Sequence, residues 1–203
     1  MSKAGFILGF LALACLSPLG FCCAQSAMPE GRLLSDAPAG VKEPVERLHS
    51  FDPVERRNAA QELGRMGEEA VQAVPFLIRA LNDSARLAVR SPEGDGAPAS
   101  VAEAAMLALA NIGAPAVDPL IASLRNDNPG VRTMATAALG RIQDPRTIEP
   151  LIEVLERDED SLVQAAAVDA LRKKKDPRTM EALFVAEKNG NWVVRSLAKS
   201  AVE

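Results

Sequence analysis

The stretch NPGVRTMATAALGRIQDPRTIEPLIEVL, Asn128 to Leu155, decides the fold. Around Leu139, the residues Val131, Ala135, Ala138 and Ile142 stand at −8, −4, −1 and +3, positions that share one face of an α-helix. Asp144-Pro145 then reads as a second helix start: the carboxylate caps free N–H groups, and proline tolerates the first helical position because no N–H is needed there. Leu151, Ile152 and Leu155 supply the next apolar stripe. The stretch is a helix, a turn and a second helix, and a lone hairpin of that kind has nothing against which to bury its apolar face.

The same pattern recurs on both sides. Leu63, Leu109, Leu139, Leu171 and Val202 fall 46, 30, 32 and 31 residues apart. Four residues before each stands an alanine: Ala59, Ala105, Ala135, Ala167 and Ala198. Eight before stand Glu55, Val101, Val131, Val163 and Val194, and three after stand Met66, Ile112, Ile142 and Lys174. Each second helix centres on a pair: Leu77-Ile78, Leu120-Ile121, Leu151-Ile152 and Leu183-Phe184. Asp176-Pro177-Arg178-Thr179 repeats Asp144-Pro145-Arg146-Thr147, while Asp52-Pro53 and Asn128-Pro129 open first helices. Units of about 31 residues that each leave an apolar face open must stack into one continuous core.

Three motifs, Asn128-Pro129-Gly130-Val131-Arg132, Ala137-Ala138-Leu139-Gly140 and Glu149-Pro150-Leu151-Ile152, resemble HEAT repeats, specifically the short HEAT-like class of phycobilisome lyases. They recur as Ala73-Val74-Pro75-Phe76-Leu77-Ile78 and Val117-Asp118-Pro119-Leu120-Ile121, and the resemblance covers roughly residues 41–203. It implies an all-α, right-handed α-solenoid (an α-α superhelix) of about four HEAT-like helix pairs with half-repeats at both ends. The expected units are 52–83, 100–126, 128–158 and 160–188, with a final helix over 191–203. The 46-residue step places an insertion loop at 84–99, where SPEGDGAPAS is too rich in Gly and Pro for a helix. Unit four reads as worn, because Lys174 replaces an apolar residue and Glu187 replaces the last leucine.

The N-terminus has a different character. Lys3, the apolar run Gly5 to Ala14, the break at Pro18 and the small residues Cys22-Cys23-Ala24 lay out a secretory signal over 1–24. Residues 25–40 read as a flexible linker. Cleavage after Ala24 removes all three cysteines; lipidation at Cys15, after Ala12-Leu13-Ala14, is the alternative. The expected location is the bacterial periplasm or cell envelope, in a secreted or lipid-anchored form, with no membrane span left in the mature chain.

Charge and residue usage narrow the function. Lys+Arg 23 against Asp+Glu 27 gives −4, which argues against nucleic-acid binding. With one histidine, His49, and no cysteine after Cys23, a Cys/His metal or haem set has nothing to build on. The fold also resembles deoxyhypusine hydroxylase, but that enzyme holds iron through His-Glu pairs, and Ser50 follows the lone His49 here. No cofactor, metal or catalytic residue is expected. Arg172-Lys173-Lys174-Lys175 reads as a solvated helix C-terminus, Glu93-Gly94-Asp95-Gly96 as plain loop, and Trp192 as packing over unit four.

The HEAT resemblance places the second helices on the concave side. There Arg79, Asn82, Arg125, Glu153, Glu156 and Lys188 point away from the core, a surface running basic, then acidic, then mixed. The expected function is an exported, non-catalytic scaffold that binds a protein or peptide of opposite charge polarity. The alternatives are a bilin-lyase-like enzyme or accessory and a self-associating structural protein.

Overall fold

A computed structural model describes residues 38–85, 98–174 and 176–202. The signal, most of the linker, the loop over 86–97 and Lys175 lie outside the described residues. No β-strand occurs among the described residues. The chain is an all-α solenoid. A leading helix α1 (Ala39–Arg47) starts inside the stretch read as linker. Four helix pairs follow: α2 (Pro53–Met66) with α3 (Val74–Ala80), α4 (Val101–Ile112) with α5 (Val117–Ser123), α6 (Pro129–Arg141) with α7 (Ile148–Arg157), and α8 (Ser161–Leu171) with α9 (Pro177–Asn189). A last first-type helix, α10 (Trp192–Val202), closes the described array.

Side-chain caps start the first helices where the sequence places them. Asp52 accepts from the Val54 amide, Ser100 from Glu103, Asn128 from Gly130, Asp160 from Leu162 and Asn191 from Val194. Each such cap is worth about 1 kcal/mol. At the first two inner turns Gly67 and Gly113 hold φ of 58° and 81°, which a side chain resists. At the later two turns Asp144 and Asp176 accept from the amides of Arg146 and Arg178.

The register leucines carry the core. Leu63, Leu109, Leu139 and Leu171, with Leu77, Leu120, Leu151 and Leu183, are all fully buried, and one apolar cluster runs from Val41 to Ala198. Each buried leucine contributes about 2 kcal/mol of burial. The residue after each second-helix leucine is less deep: Ile78, Ile121 and Ile152 are half-buried, and Phe184 is 45% exposed.

Successive first helices do not all meet alike. A Cβ on Gly64 would lie 2.9 Å from Ala108 Cα, and one on Gly140 would lie 2.6 Å from Ala170 Cβ. The α2–α4 and α6–α8 contacts are therefore close backbone approaches. The matching positions in α4 and α8 hold Ala110 and Arg172, and α4–α6 and α8–α10 meet over less of their length.

Two expectations are corrected. Lys174 is not a lost core residue. It is 8% exposed, and its Nζ donates to the carbonyls of Leu139, at 2.8 Å, and Ile142 at the end of α6. The long side chain crosses from unit four to serve carbonyls that α6 leaves unpaired. Burial lowers its pKa while Asp144 pulls the other way. The basic run is thus only partly a solvated end: Arg172 and Lys173 both pair with Asp169 at the surface. Trp192 does not pack over unit four; it is 77% exposed, and Val194 and Ala198 do the packing for α10.

Candidate protein-binding face

The second helices lie side by side, and shallow grooves run between them. Between α1 and α3, Leu48, His49, Phe76, Arg79, Ala80, Asn82 and Asp83 line a cavity of about 260 Å³. Between α5 and α7, Ile121, Leu124, Arg125, Pro150, Glu153, Val154, Arg157 and Asp158 line one of about 340 Å³. Between α7 and α9, walled by the start of α10, lies one of about 390 Å³. The proposed surface residues fall among these walls: Arg79 and Asn82 in the first, Arg125 and Glu153 in the second, Glu156 in the third. Lys188 is exposed on α9 but lines none of the three.

Ion pairs fix the groove edges. Arg132 on α6 holds Asp158 beyond α7 through two 2.8 Å bonds and donates to the Asn126 and Asp127 carbonyls. Arg56 does the same one level up, reaching Asp83 at 2.6 Å and the carbonyls of Ser50 and Phe51. Burial raises the Asp158 carboxyl, but the Arg132 guanidinium and the Asp160 amide outweigh it, so its pKa ends below the ordinary value. Units two and four have Ala102 and Gln164 in place of these arginines. Gln164 instead accepts from Asn191 at 3.0 Å.

The opposite, turn-side edge carries a second ladder. Arg146 joins Asp144 to Asp118 of the preceding unit, and Arg178 joins Asp176 to Glu149. The hydrogen bonds from the arginine side chains and amides lower the Asp144 and Asp176 pKa values. The paired Asp-Pro-Arg-Thr motifs thus make inter-unit links as well as helix starts, a role that repeat spacing alone does not reveal.

His49 sits at the first groove with Nδ1 3.1 Å from the Val45 carbonyl and its ring edge-on to Phe76, centroids 6.1 Å apart. Among the described residues no three His, Cys, Asp or Glu side chains are grouped to hold a metal ion. No single helix among them is long and apolar enough to cross a membrane.

Stacked hairpins of this geometry define an α-helical repeat protein. Comparison with known proteins gives the family: HEAT repeats match residues 95–172 and 148–202, and the PBS lyase HEAT-like repeat matches residues 55–83. The chain belongs to the HEAT-repeat family. It is 35% identical over 112 residues to phycocyanobilin lyase subunit alpha of Synechococcus elongatus, a match spanning 55% of this chain and 39% of that protein. The chain therefore spans well under half the length of this curated relative. Its fold is similar to that in the complex of CpcE and CpcF of phycocyanin lyase from Nostoc sp. PCC7120, with a TM-score of 0.58 at 19% identity over 81% of this chain and 99% of that one. Human deoxyhypusine hydroxylase aligns with a TM-score of 0.49 at 19% identity, over 85% of this chain and 76% of that chain.

Proposed function

We propose that this chain is a HEAT-repeat accessory subunit of the bilin-lyase type, which grips a second protein along its second-helix face and makes no covalent bond by itself. The observation that supports it is the series of grooves between successive second helices, with cationic side chains at the first two and carboxylates at the later ones. Extended repeat surfaces of this kind suit protein recognition. The identity to a lyase subunit supports the class, and the similar fold from Nostoc is titled as one of two lyase chains in complex.

Co-expression with a bilin, an acceptor protein and a second lyase subunit tests this. A covalent, visible-absorbing adduct that needs both the chain and the second subunit is the expected outcome. An adduct with the chain alone would make it the enzyme itself. No adduct in any combination overturns the lyase-type reading.

The second reading is an exported scaffold using the same face, and the layout of residues 1–24 favours it. Mass spectrometry of the mature chain decides it. A start at Gln25, or an acylated Cys15, supports export; an intact Met1 in the cytoplasmic fraction overturns it. Light scattering at two concentrations tests self-association over the same face.

A further inference from the structure

We infer that the groove between α7 and α9 is the anchor point of the binding face, and that it takes a segment of a partner protein presenting one apolar side chain beside a lysine or arginine. This rests on the preceding reading that the face binds protein, and it names which groove carries the affinity and for what chemistry.

The floor is apolar. Leu155, Ala182, Ala186 and Val194 line it at 4%, 8%, 8% and 1% exposure, and Val185 stands open at the rim. The cavity is within the size range of sites that enclose a ligand group. Deep small residues on a rigid floor make a receptacle for a side chain inserted from outside, the usual form of an interface anchor.

The rim is acidic and amide-bearing. α7 exposes Glu149, Glu153 and Glu156. Glu149 is held by Arg178 and Glu153 by Arg157, whereas Glu156 lines this groove without a hydrogen bond or ion pair among the described residues. Gln164 and Asn191 hold each other, and Asn191 also takes the Val194 amide, which fixes the wall. A cation arriving next to the apolar anchor meets a carboxylate that nothing else satisfies. A bilin, with two carboxylates of its own, would meet repulsion there. The α5–α7 groove differs in sign: its walls hold Arg125 and Arg157 as well as Glu153 and Asp158, so it offers no net attraction to cations.

The test uses the full chain and fluorescein-labelled 12-residue peptides, read by fluorescence polarisation. One set carries a central Leu or Trp between lysines and arginines. A second has the same centre between glutamates, and a third has a central Ser between lysines. The first set should bind at least tenfold more tightly than either control. Val185→Ser and Ala186→Trp should each weaken it tenfold, and Glu156→Lys should erase the preference for basic flanks. Arg125→Glu should leave it unchanged. Because Ala186→Trp changes a buried site, circular dichroism accompanies it, and the exposed Val185 carries the test if it misfolds. Equal binding by the glutamate set, loss through Arg125→Glu alone, tighter binding of free bilin than of any peptide, or no binding by any peptide each overturns the inference. Failure here with a partner-dependent adduct in the co-expression assay would leave the accessory-subunit reading standing and move its anchor elsewhere.

Discussion

The junctions within the first and second halves of the array differ from the junctions that follow them. At α2–α4 and α6–α8 a glycine, Gly64 or Gly140, lets one helix backbone settle onto an alanine of the next. At α4–α6 and α8–α10 the same position holds Ala110 or Arg172, and the helices touch over less of their length. The difference extends to the helix pairs themselves. Units one and three lock their two helices with Arg56–Asp83 and Arg132–Asp158, while Ala102 and Gln164 stand in units two and four. A sequence that repeats every 31 residues or so thus carries a structural period of two units, and close packing alternates with polar fastening along one stack.

The largest test replaces the glycine. Gly140→Leu forces a branched side chain into backbone contact with Ala170 and should cost about 3 kcal/mol, whereas Ala110→Leu should cost under about 1 kcal/mol. Urea unfolding of the two variants measures the contrast, and equal losses would dissolve it.

Next comes the lock inside unit three. Arg132 and Asp158 have side chains 16% and 7% exposed, so Arg132→Ala strands a carboxylate and should cost about 3 kcal/mol. Gln164→Ala at the matching place in unit four should stay within about 0.5 kcal/mol. Thermal unfolding at constant pH reads both.

Lys174→Met keeps the volume but leaves the Leu139 and Ile142 carbonyls without their donor. A loss of about 1–2 kcal/mol is expected. Hydrogen exchange should show it as faster opening at the end of α6.

Acid titration gives a smaller, directional effect. Asp158 and Asp169 have folded pKa values below the ordinary one; burial works against each, and Arg132 and Lys173 respectively prevail. The folded state then binds fewer protons than the unfolded state, so this stability is complete above the ordinary carboxylate value and drains away as pH falls through the lowered values. Melting temperatures between pH 6 and pH 2 should fall less steeply in Arg132→Ala than in the parent chain.

The smallest effect belongs to the outer ladder. Arg178 is half exposed and its partner Glu149 more so. Arg178→Ala should change stability by less than about 1 kcal/mol, and a double-mutant cycle with Glu149→Ala should return little coupling.

The leucine register was readable because a core position tolerates few residue types, so Leu63, Leu109, Leu139 and Leu171 repeat visibly. The caps were readable for the same reason: Asp52, Asn128 and Asp176 do a job that only short polar side chains do. Lys174 was not. A buried lysine finds its partners 32 and 35 residues away, and no local pattern marks a carbonyl that lacks a donor. Trp192 misleads in the opposite way, since apolar character predicts burial only where a neighbour exists to cover it. The alternation of Gly64, Ala110, Gly140 and Arg172 stood in the sequence, one residue after each register leucine. Its meaning needed the distance to Ala108 and Ala170, because a small residue does not announce how near the next helix comes. The binding face was partly legible. Outward positions such as Arg125, Glu153 and Glu156 follow from helical periodicity, but which of them border a hollow depends on the packing of helices two units apart.

The close approach at Gly140 has a mechanical consequence. When the stack bends, strain gathers where neighbouring backbones are held least tightly, so α4–α6 is the compliant joint and α6–α8 the stiff one. The α5–α7 hollow straddles the compliant joint and the α7–α9 hollow rides on the stiff one. One is an adjustable mould and the other a fixed one, so a visitor fitting the second keeps its shape complementarity however far the superhelix flexes.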